Sequence, residues 1–311
     1  MPSTVLLLPG QGAQAVGMGK AFYDRFDESK AVYHTANKRL GFDVTSLCFE
    51  GPPEDLTKTE KCQPALFTTS MASYVAFRRV APAWFQPAAS AGLSLGELTA
   101  LAVAGAISLD DALYLVKARG EAMGECAARE GGAMLAVVGL TKDAIEPVCR
   151  QSGAWGANFN AADQIVLSGT VEAIAKAEGL AKAAGAKRVL KLDVAGAFHA
   201  PLMQPAAEAC RQALTKVTVR APAFPVISNV TGGPVEDPET IRTLLVDQIV
   251  KPVLWEASMR YLLGRGATHF IEFAPARVLT GLLRRIDKSA TGLMVDQPAD
   301  LDPLAGLLQP A

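Results

Sequence analysis

The chain has 311 residues, of which 50% are apolar and 20% are charged. This composition excludes an intrinsically disordered chain, and the length predicts two domains or one large domain with an insertion. Thirty basic and 31 acidic side chains leave a net charge of -1, which excludes a general electrostatic attraction to nucleic acid or to an acidic membrane.

The cysteine pattern and the first residues of the chain both bear on the compartment in which the protein works. The five cysteines are scattered without a CxxC pair, which excludes the common zinc and redox motifs and a disulfide framework. Residues 1–14 contain one short apolar run and no basic start, so they predict neither a signal peptide nor a spanning helix. We therefore expect a cytoplasmic protein that binds neither nucleic acid nor a membrane.

Apolar runs that end in turns alternate with helical patterns through most of the chain. The run from Thr4 to Leu8 predicts a buried strand, and a second strand is predicted from Ala89 to Leu93 before a helix. A third strand, Ala267 to Phe273, precedes a helical pattern from Val278 to Ile286. Strands that alternate with helices predict an α/β fold with a mostly parallel sheet.

The middle of the chain has a different order of patterns, βαββαβ, which is typical of a ferredoxin-like unit. The six segments are Gly132 to Gly139, Thr141 to Arg150, Trp155 to Asn160, Ile165 to Ser168, Val171 to Ala184 and Arg188 to Leu192. We predict a small subdomain at residues 130–195, inserted into a larger α/β subdomain formed by residues 1–129 and 196–311. Catalytic clefts commonly form between two such bodies.

The sequence GLSLG at residues 92–96 matches the Gly-x-Ser-x-Gly pattern of a nucleophile elbow. An apolar strand pattern precedes Ser94 and a helical pattern follows it, as this motif requires. A structural alternative is that Ser94 and Glu97 form a capping box at the start of that helix. The two interpretations are compatible, because the positive end of a helix also stabilises a nearby anion.

A nucleophilic serine needs a base, and the chain has three histidines. His34 lies in the pattern of a solvated helix, and His269 lies in a predicted strand, where a histidine is more often structural. His199 lies on a predicted loop between a strand and a helix, which makes it the candidate base. Asp193 or a backbone carbonyl would orient its imidazole.

Arg119 occupies an unusual position in the helix predicted from Ser108 to Arg129. It falls in the middle of the apolar arc, one turn from Val116 and from Met123. A buried guanidinium must find an anion, since an unpaired buried charge is costly. The alternatives are a salt bridge to a protein carboxylate, a snorkelling side chain, or a fork that binds a substrate carboxylate.

Seven sequence blocks in one order resemble the malonyl-CoA:acyl carrier protein transacylase family, the acyltransferases of fatty acid and polyketide synthesis. The blocks are PGQGAQ at 9–14, QPAL at 63–66, GLSLGE at 92–97, RG at 119–120, Asn160 with QIVLSG at 164–169, GAFH at 196–199 and SNVTG at 228–232. The resemblance extends from residue 9 to about residue 285.

This resemblance implies a hydrolase-like α/β body with an inserted ferredoxin-like subdomain. It also implies that Ser94 is the nucleophile and His199 its base. The backbone amides of Gln11 and Leu95 would form the oxyanion hole, and Arg119 would bind the malonyl carboxylate.

The resemblance implies further roles around these residues. The carbonyl of Gln248, with Asn229 as a neighbour, would orient the histidine. Gln63 and Phe198 would contact the substrate. The Phe198 ring would leave little room for an α-methyl branch. The family usually has a histidine immediately before the serine, and this chain has Leu93 there. Leucine would make the surroundings of the acyl ester less polar.

The implied reaction is a ping-pong transfer of malonyl from CoA to the phosphopantetheine thiol of acyl carrier protein through a Ser94 ester. Malonyl-CoA and CoA are substrate and product, and no cofactor or metal is expected. We expect a monomer whose partner is acyl carrier protein. Two basic clusters are candidate docking sites for this acidic partner. They are Lys187, Arg188 and Lys191, and Arg284, Arg285 and Lys288.

Three alternatives remain open at this point. A serine esterase or thioesterase would share the elbow and use water as acceptor. A non-catalytic module that docks carrier protein is suggested by Leu93 alone. An acyltransferase that serves a polyketide or polyunsaturated fatty acid synthase would use the same chemistry with a different carrier protein.

Overall fold

Two β-sheets organise the protein in a computed structural model, which describes residues 3–194, 196–275 and 277–307. The strands are β1 Thr4–Leu8, β2 Ala89–Gly92, β3 Ala133–Val138, β4 Trp155–Ala161, β5 Gln164–Gly169, β6 Arg188–Lys191, β7 Val226–Ile227, β8 Pro234–Val235, β9 His269–Phe273 and β10 Thr291–Val295. One sheet has the order β10-β9-β1-β2-β7-β8, and the other has the order β4-β5-β3-β6.

Fourteen helices within the described ranges cover these sheets. They are α1 Lys20–Arg25, α2 Asp27–Leu40, α3 Val44–Glu50, α4 Pro53–Thr57, α5 Thr59–Val80, α6 Leu95–Val103, α7 Leu109–Glu130, α8 Lys142–Ser152, α9 Val171–Ala183, α10 Gln204–Leu214, α11 Pro238–Val250, α12 Trp255–Gly264, α13 Val278–Ile286 and α14 Leu301–Leu307. Five begin at a side chain that accepts a hydrogen bond from a first-turn amide, as helix N-caps do. These caps are Asp43, Ser108, Thr141, Thr170 and Asp237.

The six-stranded sheet is parallel except for β8 and is buried on both faces. Leu6 and Leu8 of β1 pack into the core formed with α5, α7 and α10. Val5 and Leu7 pack into the core on the other face, formed with α12 and α13. A strand covered on both faces is continuously apolar, which explains the pattern from which β1 was predicted.

The carboxyl ends of four parallel strands meet at one edge of this sheet. There β1 leads to Gln11, β2 to Ser94, β7 to Asn229, and β9 to α13. Open α/β sheets bind their ligands at this edge. The buried carboxylate of Glu272 accepts hydrogen bonds from the amides of Leu279 and Thr280 and so fixes the start of α13.

The four-stranded sheet is antiparallel throughout, and its chain order with α8 and α9 is βαββαβ. Its elements run from Ala133 to Lys191, and each differs from its predicted segment by one or two residues at one or both ends. The α/β fold with a parallel sheet and a separate ferredoxin-like unit is confirmed. The subdomain boundaries stay a prediction, and residue 195, beside the second boundary, lies outside the described residues.

Among the described helices, none combines the length and the apolar composition that a membrane-spanning segment requires.

Candidate active site

Ser94 lies on a sharp turn between β2 and α6, with φ 54° and ψ -106°. A Cβ on Gly92 would lie 2.0 Å from the Gly96 carbonyl carbon, and a Cβ on Gly96 would lie 2.0 Å from the Leu8 carbonyl oxygen. Both approaches are far below van der Waals contact, so only glycine fits at either position. The strained serine backbone is typical of a functional position.

The Ser94 hydroxyl does not cap α6. Instead its Oγ faces the imidazole of His199. The Glu97 carboxylate likewise turns away from the helix start and accepts hydrogen bonds from Gln248 and Asn229. The capping-box interpretation is therefore wrong, because both side chains are used in contacts between distant parts of the chain.

We expect Gly96→Ala to destabilise the protein by about 3 kcal/mol, because the added methyl overlaps the Leu8 carbonyl and forces the elbow to open. The matched control is Gly179→Ala in α9, where a Cβ meets nothing within 4 Å. That substitution should stabilise the helix by about 0.5 to 1 kcal/mol. Urea unfolding of both variants measures the difference. Equal stability of the two would contradict the close packing of the elbow.

His199 and Ser94 form a hydrogen-bonded pair, with Nε2 2.8 Å from Oγ. The other ring nitrogen, Nδ1, lies 2.7 Å from the backbone carbonyl oxygen of Gln248. Because a carbonyl only accepts, Nδ1 carries the proton and donates it, which leaves the Nε2 lone pair facing the serine hydroxyl. His199 also has a positive φ of 58°. The sequence left Asp193 or a carbonyl as the orienting group, and the structure selects the carbonyl.

Burial and the Arg119 charge lower the pKa of His199 from 6.5 to about 4. Both causes disfavour the imidazolium, and the hydrogen bond to Gln248 opposes them only in part. The imidazole is therefore neutral at neutral pH and able to accept a proton.

The reactivity of Ser94 should then follow the ionisation of a buried imidazole. Labelling of Ser94 by a serine-directed fluorophosphonate should proceed at a constant rate from about pH 8 down to about pH 5. The rate should fall only as the pH approaches the lowered pKa of His199, because protonation removes the base. The rate constant for labelling, measured by intact mass against pH, checks this. An inflection near the ordinary histidine pKa would contradict it.

Arg119 of α7 is 5% exposed and points to the elbow. Its Nη2 donates to Ser94 Oγ at 3.0 Å and to Gln248 Oε1 at 2.8 Å. Its Nη1 donates to Gln63 Oε1 at 2.6 Å. Burial lowers the pKa of Arg119 to about 10, so the guanidinium is charged at neutral pH.

The buried guanidinium of Arg119 has no carboxylate partner among the described ion pairs. An internal salt bridge and a snorkelling side chain are therefore both wrong as accounts of this residue. Among the described hydrogen bonds, the guanidinium donates only to neutral acceptors, which are the amide oxygens of Gln63 and Gln248 and the Ser94 hydroxyl. Its buried charge therefore favours an incoming anion.

Gln248 and Asn229 connect the parts of the site. The Gln248 side chain binds Arg119 through Oε1, while its Nε2 donates to the Ser94 carbonyl at 3.0 Å. Asn229 Oδ1 accepts from the Ser94 amide at 2.7 Å, and its Nδ2 donates to the Gly92 carbonyl at 2.7 Å. Asn229 has no hydrogen bond to His199 among those described, so its prediction as a histidine-orienting residue is corrected: it holds the elbow.

A cavity of about 270 Å³ opens in front of Ser94, between the two sheets. Every predicted site residue except Gln248 and Asn229 lines it, and those two lie behind the catalytic pair. From the parallel-sheet side the lining residues are Gln11, Gln63, Leu93, Leu95, Phe198 and His199. Gly10 allows the Gln11 loop to approach the elbow, since a Cβ there would lie 2.2 Å from the Leu93 carbonyl oxygen.

The antiparallel sheet supplies cavity residues to which the sequence analysis gave no role at the site, although Asn160 and residues 164–169 form one of the seven sequence blocks. They are Asn158, Asn160 and Gln164 beside Met134, Ala136 and Val166. Asn160 is 7% exposed, and its Oδ1 has no hydrogen-bond partner among the described residues. From α13 the cavity also receives Val278 and Leu282. The available signal for Asn158, Asn160 and Gln164 was a polar side chain within an otherwise apolar strand pattern.

The other two histidines lie away from the site. His34 lies exposed on α2, with Nε2 3.1 Å from the Tyr23 hydroxyl, and His269 contacts Thr268 at the start of β9. Within the described ranges no three His, Cys, Asp or Glu side chains are grouped so as to hold a metal ion. The expectation that no cofactor is used stays a prediction.

The whole chain is similar to known acyltransferases. A family model described as the acyl transferase domain matches residues 5–310. The malonyl CoA-acyl carrier protein transacylase of Bacillus subtilis (strain 168) is 38% identical over 307 residues, which are 97% of this chain and 96% of that protein. The structure of an acyl-carrier-protein-S-malonyltransferase from Bartonella henselae matches with a TM-score of 0.94 and 36% identity, over 98% of this chain and 99% of that one.

A further similar structure contains a bound partner. It is a malonyl-transacylase in complex with a type II polyketide-synthase acyl-carrier protein. It matches with a TM-score of 0.94 and 34% identity, over 98% of this chain and 99% of that one. The resemblance stated from the sequence blocks is confirmed over nearly the full length.

Proposed function

The chain belongs to the acyl transferase domain family, and from that premise we propose that it is a malonyl-CoA:acyl carrier protein malonyltransferase of fatty acid biosynthesis. The observation that carries the proposal is the meeting of three side chains at one point. The Ser94 hydroxyl lies 2.8 Å from the neutral His199 imidazole and 3.0 Å from the buried Arg119 guanidinium. A nucleophile with its base accounts for acyl transfer, and the adjacent cation accounts for an acyl group with a free carboxylate.

In the first half-reaction, His199 Nε2 takes the Ser94 proton while Oγ attacks the thioester carbonyl of malonyl-CoA. The carbonyl oxygen becomes an oxyanion, and the amides of Gln11 and Leu95 donate to it. Leu95 begins α6, so its N–H is one of the first helical amides without an acceptor in the helix. The tetrahedral intermediate collapses, the C–S bond breaks, and His199 returns the proton to the CoA thiolate.

In the second half-reaction, the phosphopantetheine thiol of the carrier protein gives its proton to His199 and attacks the malonyl ester. Collapse of the second intermediate releases Ser94 Oγ, which recovers the proton. The starting malonyl-CoA and the final malonyl-carrier protein are both thioesters, so the overall reaction is close to balanced, reversible and needs no energy input. We propose that it needs no cofactor or metal.

Arg119 selects the acyl group. A carboxylate in the cavity would take over hydrogen bonds that the guanidinium now makes with Gln63, Gln248 and Ser94. The short distance from Nη2 to Oγ suits a three-carbon diacid, whose carboxylate and thioester carbon are close together. The Phe198 ring is 5% exposed and lines the cavity beside His199, so it would leave little room for an α-methyl branch.

The carrier protein should approach the open side of the cavity. The cluster formed by Arg284, Arg285 and Lys288 belongs to α13 and the turn after it, and α13 also lines the cavity. Arg285 binds Asp163 at 3.0 Å, whereas Arg284 and Lys288 are exposed without a described ion pair. We favour this cluster over the one at Lys187. We further propose that the enzyme acts as a monomer in the cytoplasm.

The test is transfer of radiolabelled malonyl from malonyl-CoA to holo acyl carrier protein, with free malonate measured in the same samples. The proposal predicts label on the carrier protein and little free malonate until carrier is exhausted. Rapid malonate release without carrier labelling would indicate a thioesterase. No Ser94 acylation would indicate a docking module. Carrier proteins of fatty acid and polyketide synthesis, compared in parallel, assign the pathway.

A further inference from the structure

Glu97 is a buried acid behind the catalytic pair that the acyl-transfer mechanism does not use. It is 2% exposed, lies in the first turn of α6, and has no cation within salt-bridge distance in the described parts of the chain. Burial raises its pKa to about 7. A carboxylate held at this cost needs a structural or functional explanation.

A single oxygen of Glu97 joins two residues that hold different parts of the site. Its Oε2 accepts from Gln248 Nε2 at 2.6 Å and from the Asn229 amide at 3.2 Å. Gln248 orients His199 through its carbonyl and holds Arg119 through Oε1. Asn229 holds the Ser94 amide. Three segments distant in sequence therefore converge on one atom.

We propose that Glu97 is a positioning residue, whose Oε2 fixes Gln248 and Asn229 and thereby sets the alignment of His199 with Ser94. This inference rests on the proposed function. The location of the acceptor oxygen matters more than the negative charge, because both donors are neutral and point at the same oxygen. The Arg119 charge lowers the pKa of Glu97 by less than the hydrogen bonds from Gln248 and Asn229 do. A displacement of reacting groups by about 1 Å is enough to slow a reaction about a hundredfold.

Two substitutions separate the position of the oxygen from the charge. Glu97→Gln places a carbonyl oxygen at the same distance along the side chain and removes the charge. Glu97→Asp keeps the carboxylate but shortens the side chain by one carbon–carbon bond, so the acceptor oxygen lies about 1.5 Å farther from its two donors. We expect Glu97→Gln to acylate Ser94 within about fivefold of the unmodified rate, and Glu97→Asp to be slower by about a hundredfold.

The measurement is the single-turnover rate of Ser94 acylation, with malonyl-CoA and with acetyl-CoA as separate donors. Both donors should show the same order of rates, since the Ser94–His199 alignment serves both. The exposed Glu125 of α7 provides the control pair Glu125→Gln and Glu125→Asp, which should leave both rates unchanged. Thermal unfolding of each variant shows whether it is folded.

The opposite order, or equal rates for the two Glu97 variants, would overturn the inference. If Glu97→Asp does not fold, Gln248→Met tests the same connection, because it fills similar volume without either polar atom. It should also lose about a hundredfold, and an unimpaired rate would overturn the inference. The unmodified enzyme is assayed alongside. Its failure to transfer malonyl would refute the proposed function, whereas an unexpected order of variant rates would refute only this inference.

Discussion

His199→Ala should slow acylation of Ser94 by malonyl-CoA by about ten-thousandfold. The substitution removes the atom that accepts the hydroxyl proton at 2.8 Å. No other described histidine is near the serine to replace it. The same loss should appear with acetyl-CoA, because proton transfer does not depend on the far end of the acyl group.

Stopped-flow release of CoA measures this prediction, and His34→Ala is the matched control. His34 lies exposed on α2, so its removal should leave the rate unchanged. Addition of free imidazole should restore part of the rate to His199→Ala, since the cavity would then contain space for it. A variant that retains the unmodified rate would show that another group acts as base.

Arg119→Ala should reduce malonyl transfer at least about a hundredfold and reduce acetyl transfer much less. The guanidinium is the one positive charge lining the cavity in the described structure, and a malonyl carboxylate without it would be desolvated and unpaired. Acetyl lacks that carboxylate and needs only the serine, the histidine and the oxyanion donors. Arg119→Lys should remain impaired, because an ammonium cannot reproduce the fork between Gln63 and Gln248.

The ratio of kcat/KM for malonyl-CoA and acetyl-CoA tests the role of Arg119. Arg129 lies on the same helix, is exposed, and pairs with Glu130 at 2.9 Å, so Arg129→Ala controls for loss of positive charge on α7. It should leave the ratio unchanged. An equal loss for both acyl groups in Arg119→Ala would refute the carboxylate role.

Local patterns were sufficient to predict the elements that bear the chemistry. Ser94 was predictable because the elbow depends on glycines within two residues of it, which the structure explains by contacts with Leu8 and with the turn itself. Arg119 was predictable because a charge in an apolar helical arc must face the interior. His199 was predicted by elimination among three histidines, and the structure places its Nε2 2.8 Å from Ser94 Oγ.

Contacts between distant segments could not be predicted in the same way. The roles of Glu97 and Asn229 depend on α6 meeting the loop after β7 and α11, and no spacing in the sequence specifies that meeting. Gln248 left a weak signal, since it shares a helical face with the buried Leu245 and Ile249 and is polar. A glutamine is less costly to bury than an arginine, so this pattern alone did not identify Gln248, and only the family resemblance implied its role.

In the proposed mechanism, Ser94 carries the malonyl group between the two thiols. The most direct measurement is the intact mass of the enzyme after brief mixing with malonyl-CoA, followed by addition of holo acyl carrier protein. We predict one malonyl adduct, its absence in Ser94→Ala, and its loss to the carrier protein on addition. An adduct that persists in Ser94→Ala, or malonylated carrier protein formed by that variant at the unmodified rate, would contradict the account.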